Sequence, residues 1–157
     1  MNVQTERASQ KFLAGFNCAQ AVLHAFAPEL GLDSDTALKL AGGFGGGMAR
    51  QGEVCGAVTG GIMAIGLKFG CGSKDDRAAT ERTYRNTQAL MERFAQRHGS
   101  CLCRELLPGC DLRTLEGQQR FKELDLRHRT CLSCVQTVAE ALADILSEPV
   151  PACPAQS

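Results

Sequence analysis

Apolar residues recur along most of this chain with a helical period. Phe12, Phe16, Ala19, Val22, Leu23 and Phe26 share one face, which predicts a first helix ending at Pro28, a residue that cannot continue it. Cys18 lies one turn before Val22, so this reading puts it mid-helix, on or beside the apolar face. A short second helix is expected from Ser34, as N-cap, to Ala41. Ser73 with Asp76 three residues on reads as a capping box. It opens a helix whose inner stripe is Thr80, Tyr84, Thr87, Met91 and Phe94 and whose end is Gly99. A brief helix from Ser100 stops before Pro108, and a polar one covers Glu116 to Leu126. The last starts after Thr130 and buries Cys131, Val135, Val138, Leu142 and Ile145. No run rich in β-branched residues alternates with period two.

Between the second and third of these stripes lies an uncharged run, Val54 to Leu67, rich in glycine. Glycine weakens a helix by about 1 kcal/mol relative to alanine. Here Gly52, Gly56 and Gly60 recur every four residues and Ala64 continues the row, giving a smooth face on which another backbone can sit closely. As a helix the run spans about 21 Å, short of a ~30 Å hydrocarbon core, so no membrane span is expected. The preceding loop, GGFGGGMARQG from Gly42 to Gly52, lacks the strand of a dinucleotide fingerprint and the Gly-Lys-Ser/Thr end of a phosphate loop. It reads as a tight turn with close backbone approach, in preference to an anion site. The fold expected is all-α: a compact bundle of about five to seven helices around a central glycine-rich helix. Residues 1–148 form a single domain in this reading, and 149–157 a flexible tail.

Charge and composition narrow the function. The 157 residues carry 17 basic and 17 acidic side chains, so no excess of positive charge points to nucleic acid or an anionic membrane. Aromatics are 5% and tryptophan is absent, which argues against a base-stacking platform. Nine cysteines, about 6% of residues, fall below the ~8–10% of disulfide scaffolds. The first ten residues, MNVQTERASQ, have no apolar h-region, and a cytoplasmic setting is expected. There an odd cysteine count points to thiols, metal ligands or redox chemistry rather than structural disulfides.

Cys55, Cys103 and Cys131 fall in the first turn of expected helices, where free amide groups and the helix dipole favour thiolate. For any one of them, a small core hydrophobe is the competing reading. Cys131-Leu-Ser-Cys134 is a C-x-x-C pair, but no βαβ pattern precedes it and no histidine follows Cys134, against thioredoxin and c-type haem patterns alike. Zinc is weakly indicated, and His24, His98 and His128 show no ligand spacing.

Asn17-Cys18-Ala-Gln-Ala-Val, Cys55-Gly56-Ala57-Val58-Thr59-Gly60, Cys103-Arg104-Glu105-Leu106-Leu107 and Cys131 ahead of Cys134-Val135 resemble the four cysteine elements of the C_GCAxxG_C_C family of redox-active proteins. The likeness covers about residues 8 to 147. It implies a small helical protein with four functional cysteines, Cys18, Cys55, Cys103 and Cys131, and leaves Cys71, Cys101, Cys110, Cys134 and Cys153 as extras. Related domains in multihaem cytochromes carry an iron–sulfur centre, so the resemblance implies that cofactor class, with Gly56 and Gly60 beside the cluster. Three functions are then open. The first is electron transfer or redox sensing through an iron–sulfur centre held by the four cysteines. The second is thiol–disulfide exchange by the same cysteines with no metal, and the third a zinc-stabilised interaction module. An electron-transfer partner of unknown identity is expected, and a homodimer is open.

Overall fold

The computed structural model describes residues 1–155. Among them lie eight α-helices: α1 (Val3–Leu13), α2 (Cys18–Phe26), α3 (Ser34–Leu40), α4 (Gly56–Phe69), α5 (Arg77–His98), α6 (Cys103–Leu106), α7 (Leu115–Glu123) and α8 (Leu132–Ile145). No strand is present among the described residues, only an isolated antiparallel bridge between Val54 and Leu102. The all-α expectation holds, with one helix more than the upper end of the expected count. No described helix is long and apolar enough to cross a membrane.

The additional helix arises because the first apolar stripe belongs to two helices. α1 stops at Ala14, and Gly15 turns the chain with φ +106°, a left-handed value that glycine adopts without a Cβ penalty. Asn17 then restarts it with a capping box. Its Oδ1 accepts from the Gln20 amide at 2.9 Å, and its own amide donates to the Gln20 side chain at 3.0 Å. Cys18 is therefore the first residue of α2 rather than mid-helix.

Other boundaries shift by smaller amounts. Asp33, not Ser34, caps α3, and Asp76 alone caps α5 through the Ala79 amide at 2.8 Å. The face α5 buries is Ala79, Asn86, Leu90 and Phe94, so of the expected stripe Phe94 is buried, while Tyr84 is 59% exposed. Gly99 ends α5 in the left-handed conformation, as expected. A π-helical turn, Arg127–Cys131, runs directly into α8. The helical backbone thus begins before Cys131, and the amide of Leu132 is already bonded to the Arg127 carbonyl.

Phe12, Val22, Leu23, Val58, Ile65, Phe69, Leu90, Phe94, Val135, Val138 and Leu142 are fully buried in one cluster, each contributing about 1.5–3 kcal/mol relative to exposure. α4 packs against α2, α5 and α8. Its small residues set those distances. A Cβ on Gly60 would lie 2.7 Å from the Ala19 carbonyl oxygen, and one on Gly56 3.2 Å from the Ala19 amide nitrogen. Gly61, on another side, looks onto the side chains of Leu90 and Val138. Gly52 stands outside the helix, in the loop before it, with φ +73°.

Two cysteines depart from the expectation of free thiols. Cys71, just past α4, and Cys153 in the C-terminal segment form a disulfide with Cα atoms 5.6 Å apart, bridging 82 residues. The other seven are free. The C-terminal segment is thus fastened at Cys153; Gln156 and Ser157 lie outside the described residues.

Candidate functional site

Two short segments meet across the Val54–Leu102 bridge. The Cys55 amide donates to the Cys101 carbonyl at 2.8 Å, the Cys103 amide to the Glu53 carbonyl at 2.7 Å, and the Arg104 amide to the Gly52 carbonyl at 3.1 Å. This ladder sets the start of α4 beside the start of α6, bringing Cys55 and Cys103 together over 48 residues of chain. The glycine loop closes from the other side. A Cβ on Gly47 would sit 2.7 Å from the Cys103 Cβ and 2.6 Å from the Glu53 amide nitrogen, so only glycine fits there. α2 delivers Cys18 and the π-turn delivers Cys131.

The result is a cavity of about 720 Å³. Cys18, Cys55, Cys103 and Cys131 all line it, and so does Cys134. Cys134, an extra in the family pattern, is buried as well. Gly56 lines the cavity too, whereas Gly60 lies a turn further on, against Ala19 and outside the lining. Cys101 is turned away, its Sγ donating to the Met91 carbonyl at 3.4 Å. Cys110 is buried with Cys103 and Leu107 in a separate small cluster.

The thiols are electrostatically unequal. Cys55 is held below the ordinary thiol range, first by a hydrogen bond from Cys134 and then, against the cost of burial, by the amides of Ala57 and Val58 at the start of α4. The amides at the start of α4 act in the direction expected there, although the Cys134 contribution is the larger. Cys103, expected to ionise in the same way, does not, and neither does Cys18, which was expected mid-helix and stands at a helix start. Cys103 is pushed up to about 12 by burial and by the neighbouring Cys55 and Cys131. Cys18, at the start of α2, is raised by its hydrogen bond with Cys131, by burial and by the nearby sulfurs. Cys134 is raised by its hydrogen bond to Cys55 and by burial. A buried pocket stabilises one thiolate well, and that charge then disfavours ionisation of its neighbours.

Cys55 and Cys134 bias one another's ionisation in opposite directions, and Cys131 raises Cys18. Thiolate is the right donor chemistry for zinc or an iron–sulfur cluster. The arrangement does not fit either: among the described residues, no group of three or more His, Cys, Asp and Glu side chains is placed to hold a metal ion. His98 adds a polar contact that ligand spacing could not reveal. Its Nδ1 lies 3.9 Å from the Cys134 Sγ and its Nε2 2.9 Å from the Thr137 hydroxyl, with the ring stacked on Phe94 at 4.6 Å. Burial and Arg97 lower its pKa, which keeps the imidazole neutral near pH 7.

Fold and cavity together describe a small helical protein in which five free cysteines line one cavity. The model of the family C_GCAxxG_C_C, described as "Putative redox-active protein", matches residues 16–145. The chain belongs to that family. A relative from Archaeoglobus fulgidus, named "Uncharacterized protein", is 28% identical over 116 residues, which cover 69% of this chain and 76% of the relative. No solved structure matches the chain.

Proposed function

We propose that this is a thiol–disulfide redox protein in which Cys55 is the attacking thiolate and Cys134 its resolving partner. The observation that carries this reading is the gathering of five cysteines around one cavity, where Cys55 is lowered and Cys134 is raised by it. Thiolate is the nucleophile in exchange, and a nearby second thiol completes it. Attack by Cys55 on a disulfide breaks its S–S bond, forms a mixed disulfide and releases one thiolate. Attack by Cys134 on the Cys55 sulfur then forms the internal disulfide and releases the second. Two electrons pass from the protein to the substrate. The Cys134 proton goes to His98 Nδ1, the base within reach of that sulfur. Cys18 and Cys131 form a second dithiol on the same cavity.

A second reading is supported by one observation, the presence of Cys18, Cys55, Cys103 and Cys131 around a single cavity: a four-cysteine iron–sulfur centre used for electron transfer, for which the sulfurs would have to regroup. Anaerobic purification, metal analysis and peptide mapping after mild oxidation separate the two. The thiol reading expects no stoichiometric iron and a Cys55–Cys134 linked peptide. That peptide disappears in Cys55→Ser and Cys134→Ser, with far-UV circular dichroism unchanged. A brown protein retaining iron, indifferent to Cys134→Ser and emptied by Cys55→Ser, would overturn it in favour of the cluster.

A further inference from the structure

The reactive sulfurs lie at the floor of the cavity, not at its mouth. Cys55 is 5% exposed, Cys103 8% and Cys134 2%. A disulfide on the surface of a folded protein cannot descend to such a floor, whereas a cavity of about 720 Å³ falls in the ~300–1,000 Å³ range of small-molecule sites. Part of the lining is apolar, with Leu106, Leu107 and Phe121.

Charge is concentrated at the mouth, where Arg50, Lys122, Arg127 and Asp125 line the cavity. Two of these are committed elsewhere. Asp125 accepts from His128 Nδ1 at 2.6 Å, and Arg127 donates to the carbonyls of Phe12 and Phe16. Arg50 and Lys122 take part in none of the ion pairs found among the described residues. Arg50 also stands at the end of a left-handed turn: Gly46, Gly47, Met48, Ala49 and Arg50 all have φ between 49° and 67°. Three of these are not glycine, and each costs about 1–2 kcal/mol in that conformation. Strain retained at the lip of a reactive cavity is a pointer to use.

We propose that the cavity takes a low-molecular-weight disulfide bearing carboxylates, with Arg50 and Lys122 receiving the carboxylates at the mouth while the S–S bond reaches Cys55. This rests on the thiol reading above. The chemistry balances as written there: the substrate disulfide is the oxidant, gaining two electrons and leaving as two thiols, while Cys55 and Cys134 are joined. The glycine loop thereby serves the site twice, closing over Cys103 through Gly47 and holding Arg50 at the entrance.

The test uses the reduced full-length chain under anaerobic conditions and three small linear disulfides: dithiodipropionate (dianion), hydroxyethyl disulfide (neutral) and cystamine (dication). Rates of Cys55–Cys134 disulfide formation, read by acid quench and mass spectrometry, are divided by each reagent's rate with free mercaptoethanol. The expected order is dianion, neutral, dication, with dianion over dication by about tenfold at low salt. The ratio should fall towards one in high salt and in the Arg50→Gln/Lys122→Gln double variant, both positions being exposed. Equal normalised rates, a cation-first order, or a ratio unmoved by the double variant would overturn the proposal while leaving the thiol reading standing. If the neutral reagent also leaves Cys55 unreacted, the thiol reading falls and this proposal with it.

Discussion

At the scale of single residues, being at a helix start does not decide the state of a thiol. Cys18, Cys55 and Cys103 all stand at or just before a helix start, yet only Cys55 is lowered. Once one sulfur in a buried pocket is ionised, burial and the like charge outweigh the dipole for the rest. This has a consequence for stability. Cys103 is held near 12 in the folded state against an ordinary value of 9.0. Between those values the unfolded chain binds fewer protons than the folded one, so stability falls as pH rises, by up to about 1.4 kcal/mol per pH unit for this group. The contribution is fully present below pH 9 and lost towards pH 12. Cys18, Cys101 and Cys134 act in the same direction and Cys55 against it. Urea midpoints of the reduced protein should fall between pH 8.5 and 10.5, less steeply in Cys103→Ala; a flat or rising profile in the parent protein would refute the assignment.

At the scale of elements, α4 is a helix designed by its neighbours. Gly60 faces backbone, at 2.7 Å from the Ala19 oxygen to a would-be Cβ, while Gly61 faces the movable ends of Leu90 and Val138. Gly60→Ala should therefore destabilise by about 1–3 kcal/mol through overpacking. Gly61→Ala should cost less, because side chains can shift and alanine is the better helix former. Thermal melts of the two variants check the order. This small-residue face was legible in the sequence because the spacing of Gly56 and Gly60 is local information. The same holds for the stop at Gly99, whereas the cap of α5 falls on Asp76 and not on the expected Ser73. What misled was continuity of pattern. The apolar stripe from Phe12 to Phe26 runs on unbroken in helical register, and it masked Gly15 and the Asn17–Gln20 capping box, both of which were there to be read. Cys134 escaped for a different reason. It stands three residues after Cys131, on nearly the same side of one helix, and only the packing of α8 against α4 brings it to the cavity that Cys55 lines. His98 likewise gains its meaning from α8, whose Cys134 and Thr137 it contacts.

At the scale of the molecule, the chain holds one oxidised pair and seven free thiols together. The Cys71–Cys153 link spans 82 residues and encloses α5 to α8. No local pattern could have announced a bond between an α4 exit and a terminal segment. Closing so long a loop restricts the unfolded ensemble, and such links typically contribute about 2–4 kcal/mol. Cys153→Ser should lower the melting temperature of the non-reduced protein and leave that of the fully reduced protein unchanged; equal melts without reductant would show the link to be inert. The ladder joining residues 52–55 to 101–104 has a consequence of another kind. In an otherwise helical molecule, side-chain direction along these few residues alternates from one face to the other. Deleting Val54 or Leu102 would turn the cysteine that follows outward while leaving every cysteine and every helical residue in the chain. The chain would keep its shape, its thiol count and its spectrum of helicity, and would have lost the meeting of sulfurs; the length of these two connectors is therefore as much a part of the site as the cysteines they carry.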